Sequence, residues 1–194
     1  GHVTLVNATG IDFGSSTVDG NLTATATTGN LSDEETVTVS GTATFVTSAD
    51  DATMELDELA VAGGIEVTTN GSSGHVTLAN STGIDFGSST VDGNLAATAA
   101  GTITDSGTLT VSGTSTFNNS AGANAAITLD SSENAFTGVV VFFTDSGSAV
   151  AIVDTTAFEL QALTVASLSV TVSAGSITDN GTLTISGATT LDSG

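Results

Sequence analysis

The chain has 194 residues, 21 acidic side chains, no Lys or Arg and a formal charge of −21, and it also lacks Cys, Pro, Trp and Tyr. Those counts exclude a phosphate clamp, a counterion-releasing nucleic-acid face, a Schiff-base lysine and a polybasic membrane anchor, since each needs a cationic side chain. They equally exclude a disulfide framework and a thiolate metal site.

High net charge often marks disorder, but 39% of the residues are hydrophobic and the mean hydropathy is +0.32. Ser and Thr together number 61 and Gly 23, so the chain is built mainly from strand and turn formers. Its longest aliphatic or aromatic runs are Val139 to Phe143 and Ala149 to Val153. A membrane span needs about 20 such residues, so no membrane insertion is expected. No Pro-rich or charged linker divides the chain, which reads as one continuous body over 1–194. It opens Gly1-His2-Val3 with no basic segment or apolar leader, and it begins and ends on Gly without an initial Met. A fragment or processed product of something longer is therefore expected.

In chain order, His2 to Leu5 alternates polar and apolar residues, as does Thr36 to Val39. Thr53 to Leu56, Ile65 to Val67 and Val76 to Leu78 follow the same period of two. Met54 to Ala62 has helical composition but fits a strand and corner as well. Thr108 to Ser112 puts Leu109 and Val111 on one face and three hydroxyls on the other. Asp19-Gly20-Asn21, Asp92-Gly93-Asn94, Asp105-Ser106-Gly107 and Asp179-Asn180-Gly181 fill the intervals with turn formers. About four steps separate His2 from His75, so a rung is expected to take about 18 residues.

Self-comparison decides the architecture. Gly1 to Leu22 recurs at Gly74 to Leu95 with 20 of 22 positions identical, and Ile103 to Gly113 recurs at Ile177 to Gly187 with nine of eleven identical. The superrepeats are 1–73, 74–147 and a partial 148–194. A sandwich would force identical residues into different core environments, whereas a stacked coil gives equivalent residues equivalent neighbours. The expected fold is all-β: a parallel β-helix, or β-solenoid, right-handed, of about ten rungs stacked ~4.8 Å apart.

Ile103-Thr-Asp-Ser-Gly-Thr-Leu-Thr-Val-Ser-Gly-Thr-Ser-Thr-Phe117 resembles the repeats of filamentous-haemagglutinin-type adhesins and β-helical autotransporter passengers. The likeness covers most of the chain through a motif of Gly, Thr, Ser and aliphatics. It implies a secreted, surface-exposed fibre or adhesin stalk, and it carries over no binding residue.

His2 and His75 share one repeat position, expected about four rungs or roughly 19 Å apart. One ion cannot bridge that distance, because metal–nitrogen bonds are about 2 Å. The recurrent acids Asp12 with Asp85, Asp19 with Asp92, and Asp33 with Asp105 and Asp179 would be separated likewise. Their ordinary role is turn formation.

The densest acidic cluster is Asp50, Asp51, Glu55, Asp57 and Glu58. Calcium is the ion such oxygen ligands would take, and a plain solvated corner is the alternative. Sequons begin at seven of the eleven asparagines, and Asn7, Asn21 and Asn80 are the candidate glycan acceptors. Pectin-degrading enzymes share this fold but generally combine a basic residue with carboxylates, and the basic residue cannot exist here. No catalytic residue is assigned. Outward Thr-x-Thr pairs resemble ice-binding arrays, but Ile65-Glu66-Val67-Thr68 and Ile152-Val153-Asp154 interrupt them.

Two functions are expected. The first is a non-catalytic structural protein, a segment of an extracellular or cell-surface fibre, filament or adhesin stalk that self-associates end to end. The second is an adhesive module binding glycans or calcium through corners such as Ala49 to Glu58 or Asn118 to Asn124.

Overall fold

In the computed structural model, which describes residues 1–194, the chain forms 26 short strands and no helix. Every strand pairing is parallel. The chain coils so that Val3 lies against Leu22, Leu22 against Ala43, and Ala43 against Ile65. The first sheet continues in this way to Thr189, which pairs with Leu168. The fold is therefore the expected β-solenoid, of about nine turns, and ~4.8 Å per turn makes a rod about 43 Å long.

A turn takes 18 residues between Val150 and Leu168, 24 between Ile103 and Ile127 and 25 between Ser115 and Val140. The expected 18 is thus the lower limit. Corners such as Asn119 to Ala126 absorb the difference without disturbing the strands they join.

The two faces carry different kinds of strand. Val3–Asn7 and Leu22–Ala26 are single strands on the first sheet. Opposite them lie divided strands, Ile11–Phe13 with Ser16–Val18 and Leu31–Asp33 with Val37–Val39. Further along, the assignment exchanges. The divided pairs Ile84–Phe86 with Ser89–Val91 and Ile103–Asp105 with Leu109–Val111 belong to the first sheet. The single strands Val76–Asn80 and Leu95–Ala99 belong to the second.

The exchange follows from arithmetic. From Val3 the chain makes three full turns to Ile65 and then half a turn more to Val76. The superrepeat of 73 residues thus spans three and a half turns, and equivalent segments fall on opposite faces. The expected four-turn separation of His2 and His75 is corrected accordingly. The axial distance is about 17 Å at ~4.8 Å per turn, and the two residues lie on opposite sides of the body.

The interior tolerates this exchange because both kinds of strand send alternate residues inward. Forty-two buried apolar residues form one continuous cluster. Val37, Val39, Leu109 and Val111 are fully buried in it, while Leu183 and Ile185, in the last full turn, pack against it half-buried. Phe117 packs edge-on against Phe86 and Phe136, with ring centroids 6.2 and 5.9 Å away, and stacks on Phe142 at 6.0 Å. Met54–Val61 is a strand, so its helical composition yields to ladder pairing on both sides.

Candidate functional site

With no cationic side chains, the acidic and amide groups bind backbone, and they do so from one turn to the next. The His2 Nδ1 accepts the Asn21 N–H at 2.9 Å, and the His75 Nδ1 accepts the Asn94 N–H at 2.9 Å. Each imidazole therefore carries its proton on Nε2. One turn on, the Asn21 and Asn94 side-chain oxygens accept the Thr42 and Thr114 N–H groups at 3.2 and 2.9 Å. Gly41 and Gly113 leave room for these amides, since a Cβ at either would collide with the Asn oxygen. Asp12 accepts the Ser32 hydroxyl at 2.9 Å, and Asp85 accepts the Thr104 hydroxyl at 3.2 Å. The corner chemistry is thus repeated on opposite faces of the rod.

Asp33 and Asp105 reach into the next turn. Asp33 accepts the Asp57 and Glu58 N–H groups at 2.9 and 3.2 Å. There Met54–Val61 turns two successive residues outward, and its register with Val76–Asn80 slips by one residue. The carboxylate pairs the N–H groups that this bulge removes from the ladder. Burial pushes the Asp33 carboxyl above its ordinary value, with the nearby Asp57 and Glu58 charges adding to the rise and the two N–H groups opposing it. Asp105 accepts the Asp130 and Ser131 N–H groups at 2.9 and 3.3 Å and a further bond from the Asn134 amide. The third equivalent, Asp179, accepts only the Gly181 N–H of its own corner, at 3.0 Å.

The changes of strand type leave notches. On the second face, one of about 190 Å³ is lined by Thr36, Asp57, Glu58, Leu59, Ala79, Asn80 and Ser81. Another, of about 320 Å³, lies where Ala62 and Gly63 meet Thr82 to Asp85, Thr102 and Thr104. Buried polar side chains close the seams internally. Asn80 accepts the Val61 N–H at 2.8 Å and donates to the Val61 and Gly83 carbonyls. Asp154, fully buried, accepts the Phe136 N–H at 3.1 Å and the Thr156 N–H at 3.0 Å. Its carboxyl is raised by burial, and the hydrogen bonds it accepts oppose the rise. Sequence reasoning missed both roles, because a polar residue in a Thr- and Ser-rich strand carries no mark of the turn that covers it.

The five candidate calcium ligands are all exposed: Asp50 and Asp51 at one corner, and Glu55, Asp57 and Glu58 on the outer side of Met54–Val61. No three of them are gathered into a group that could hold a metal ion in this structure. Outward alternation along an extended strand spreads carboxylates instead of gathering them. The Asp51 Oδ1 accepts the Ser73 N–H at 2.8 Å. Nor is Ala49 to Glu58 a loop, since only Asp51 to Thr53 separate its two strands.

Among the candidate glycan acceptors, Asn7 and Asn21 are exposed. Asn80 is only 4% exposed and its amide nitrogen is bonded, so a glycan there requires the seam to open.

The fold and its corners define a repeat-built β-solenoid whose polar groups tie each turn to the next. A family model described as repeats of unknown function (DUF5649) matches residues 1–51, 73–142 and 147–194, and the chain belongs to that family. No curated protein and no solved structure matches it. The likeness to filamentous-haemagglutinin-type adhesins rests on the sequence pattern alone.

Proposed function

We propose that this chain is a non-catalytic structural segment of an extracellular or cell-surface β-solenoid fibre, filament or adhesin stalk that continues end to end. One observation carries the reading: a single apolar core and parallel ladder run through every turn, while near-identical units change faces without interrupting them. Such a coil lengthens by adding units, each contacting only its neighbours. Its mechanism is that of a stiff spacer, with turns tied by backbone bonds and an acidic coat that keeps rods apart in solution. Electron microscopy of native material tests this. Fibres or rods with an axial repeat of ~4.8 Å are expected, and isolated globular particles would overturn it.

Adhesion through a corner is the second reading, favoured by one long turn. Between Ile103 and Ile127 the extra residues gather at Asn119 to Ala126, where Ser120, Ala121, Ala123 and Asn124 are exposed. Shortening that corner would abolish binding to glycans or cells if it is the contact, and leave binding intact if it is not.

A further inference from the structure

Building on the structural reading, we propose that the rod carries one internal joint, at which the turns from Ala149 onward swing against those before it and let a stalk bend without unfolding. The ladder of the first sheet runs unbroken from Val3–Asn7 to Thr189–Ser193. That of the second face stops at Val140–Phe143. The next strands of that face, Phe158–Leu160 and Leu163–Val165, ladder only with the turn beyond them, Ile177–Asp179 and Leu183–Ile185. Every earlier step along this face from Ile11 onward is laddered. The gap is therefore internal, with paired turns on both sides of it.

Strand length explains the gap. At the earlier exchange of strand type the single strands are long enough to meet both halves of a divided pair. The eight-residue Met54–Val61 pairs with Leu31–Asp33 and Val37–Val39, and the six-residue Ile65–Asn70 meets Phe86 and Thr90. Val140–Phe143 has only four residues, beneath a divided pair that spans eight and bends at Gln161 and Ala162. The Ser115 and Asn119 N–H groups bond the Val139 and Phe143 carbonyls, so the alternate backbone groups of Val140 and Phe142 face the gap. From the other side Glu159 and Thr164 do so, since the Phe158 and Leu163 N–H groups bond the turn beyond.

The first face is thinned at the same junction. Ile127–Leu129 ladders with Val150–Ile152, but Ala135–Phe136 has no strand beyond it. Side chains stand in there: Asp154 accepts the Phe136 N–H at 3.1 Å, and the Thr156 hydroxyl donates to the Phe136 carbonyl at 3.0 Å. At the flanks, the Thr155 and Ala166 N–H groups bond the Asn134 and Ser148 carbonyls, both at 2.8 Å. One three-residue ladder and these few bonds form the hinge.

Unpaired polar atoms gather beside it independently. The buried side-chain oxygens without a hydrogen-bond partner, on Ser115, Asn119, Thr144 and Ser148, all lie in the two turns that lead up to the gap. Val139 and Phe143, 41% and 53% exposed, stand on its rim. Opening hydrates those oxygens, so the closed joint carries a cost that bending relieves.

Hydrogen exchange tests the gap. The Val140, Phe142, Glu159 and Thr164 amides are expected to exchange roughly tenfold or more faster than those of Val76 and Leu95, which are bonded on the same face. Pulsed electron resonance tests the swing. Spin labels in the Thr98→Cys/Thr164→Cys variant span three steps of the second face including the gap, and those in Asp12→Cys/Thr77→Cys span three laddered steps. All four positions are exposed and the chain has no other Cys. The distance distribution across the gap should be broader than that of the laddered pair. Equal widths, or exchange at the four amides as slow as at Val76 and Leu95, would overturn the joint. Both readouts use the single chain, so the joint can fail while micrographs show fibres, and fibres can be absent while the joint stands.

Discussion

Val3 and Val76 occupy the same position of the superrepeat, yet Val3 pairs with Leu22 in the first sheet while Val76 lies between Met54 and Leu95 in the second. Identical local sequence therefore produces identical corners on opposite sides of one rod. Two superrepeats, or seven turns, return a feature to its original face, a period of about 34 Å at ~4.8 Å per turn.

That relationship is measurable. Thr4 and Thr77 are both exposed, and spin labels on cysteines at these positions should lie well beyond the ~19 Å of four turns along one face, since the path crosses the body as well as about 17 Å of axis. Pulsed electron resonance giving a distribution centred at or below ~19 Å would contradict the half-turn phase.

Phe117 is fully buried and meets three other rings, so Phe117→Ala should cost about 3–5 kcal/mol in denaturant unfolding. Phe143, on the same face but 53% exposed, should cost under about 1 kcal/mol when replaced by Ala. Equal losses at the two positions would show that the aromatic cluster is not packed as described.

Asp154 links stability to pH. Burial raises its carboxyl above the unfolded value of about 3.9. Between those two values the folded chain binds the proton more firmly than the unfolded chain does. The contribution is present below the unfolded value and is lost as pH rises through the folded one. Asp154→Asn keeps an acceptor for the Phe136 and Thr156 N–H groups without the buried charge. The variant should melt higher than the parent at pH 7, with the gap closing toward about pH 3. A gap independent of pH would refute this account.

A net charge of −21 should make the rod more stable as salt rises, because the Debye length falls to about 8 Å near physiological ionic strength. Since no three carboxylates converge on a metal position, sodium and calcium chloride at equal ionic strength should give the same melting temperature. A calcium-specific shift reversed by EDTA would point instead to calcium binding at the carboxylates of Asp50 to Glu58.

Much of this architecture was legible in the residues. Leu109 and Val111 announce an inward column by alternating with Thr and Ser, and the near-identity of Gly1 to Leu22 with Gly74 to Leu95 points to stacking. The corners were partly legible: Asp105 was readable as a turn residue, but its bonds to Asp130 and Ser131, 25 and 26 residues on, were not.

The sequence by itself determined the parallel coil, because period-two alternation, turn formers and repetition are local properties that survive in any register. Tertiary structure alone decided the phase. Asp-Gly-Asn closes a corner between faces, while Gly-Ser-Ser bends a divided strand within one, and both read as turns. Only the summed length of strands and corners settles which residue a turn comes to rest upon. At three and a half turns per superrepeat, that sum places His2 and His75 on opposite sides of the rod, leaves notches where strand types exchange, and buries Asn80 and Asp154 to close the seams.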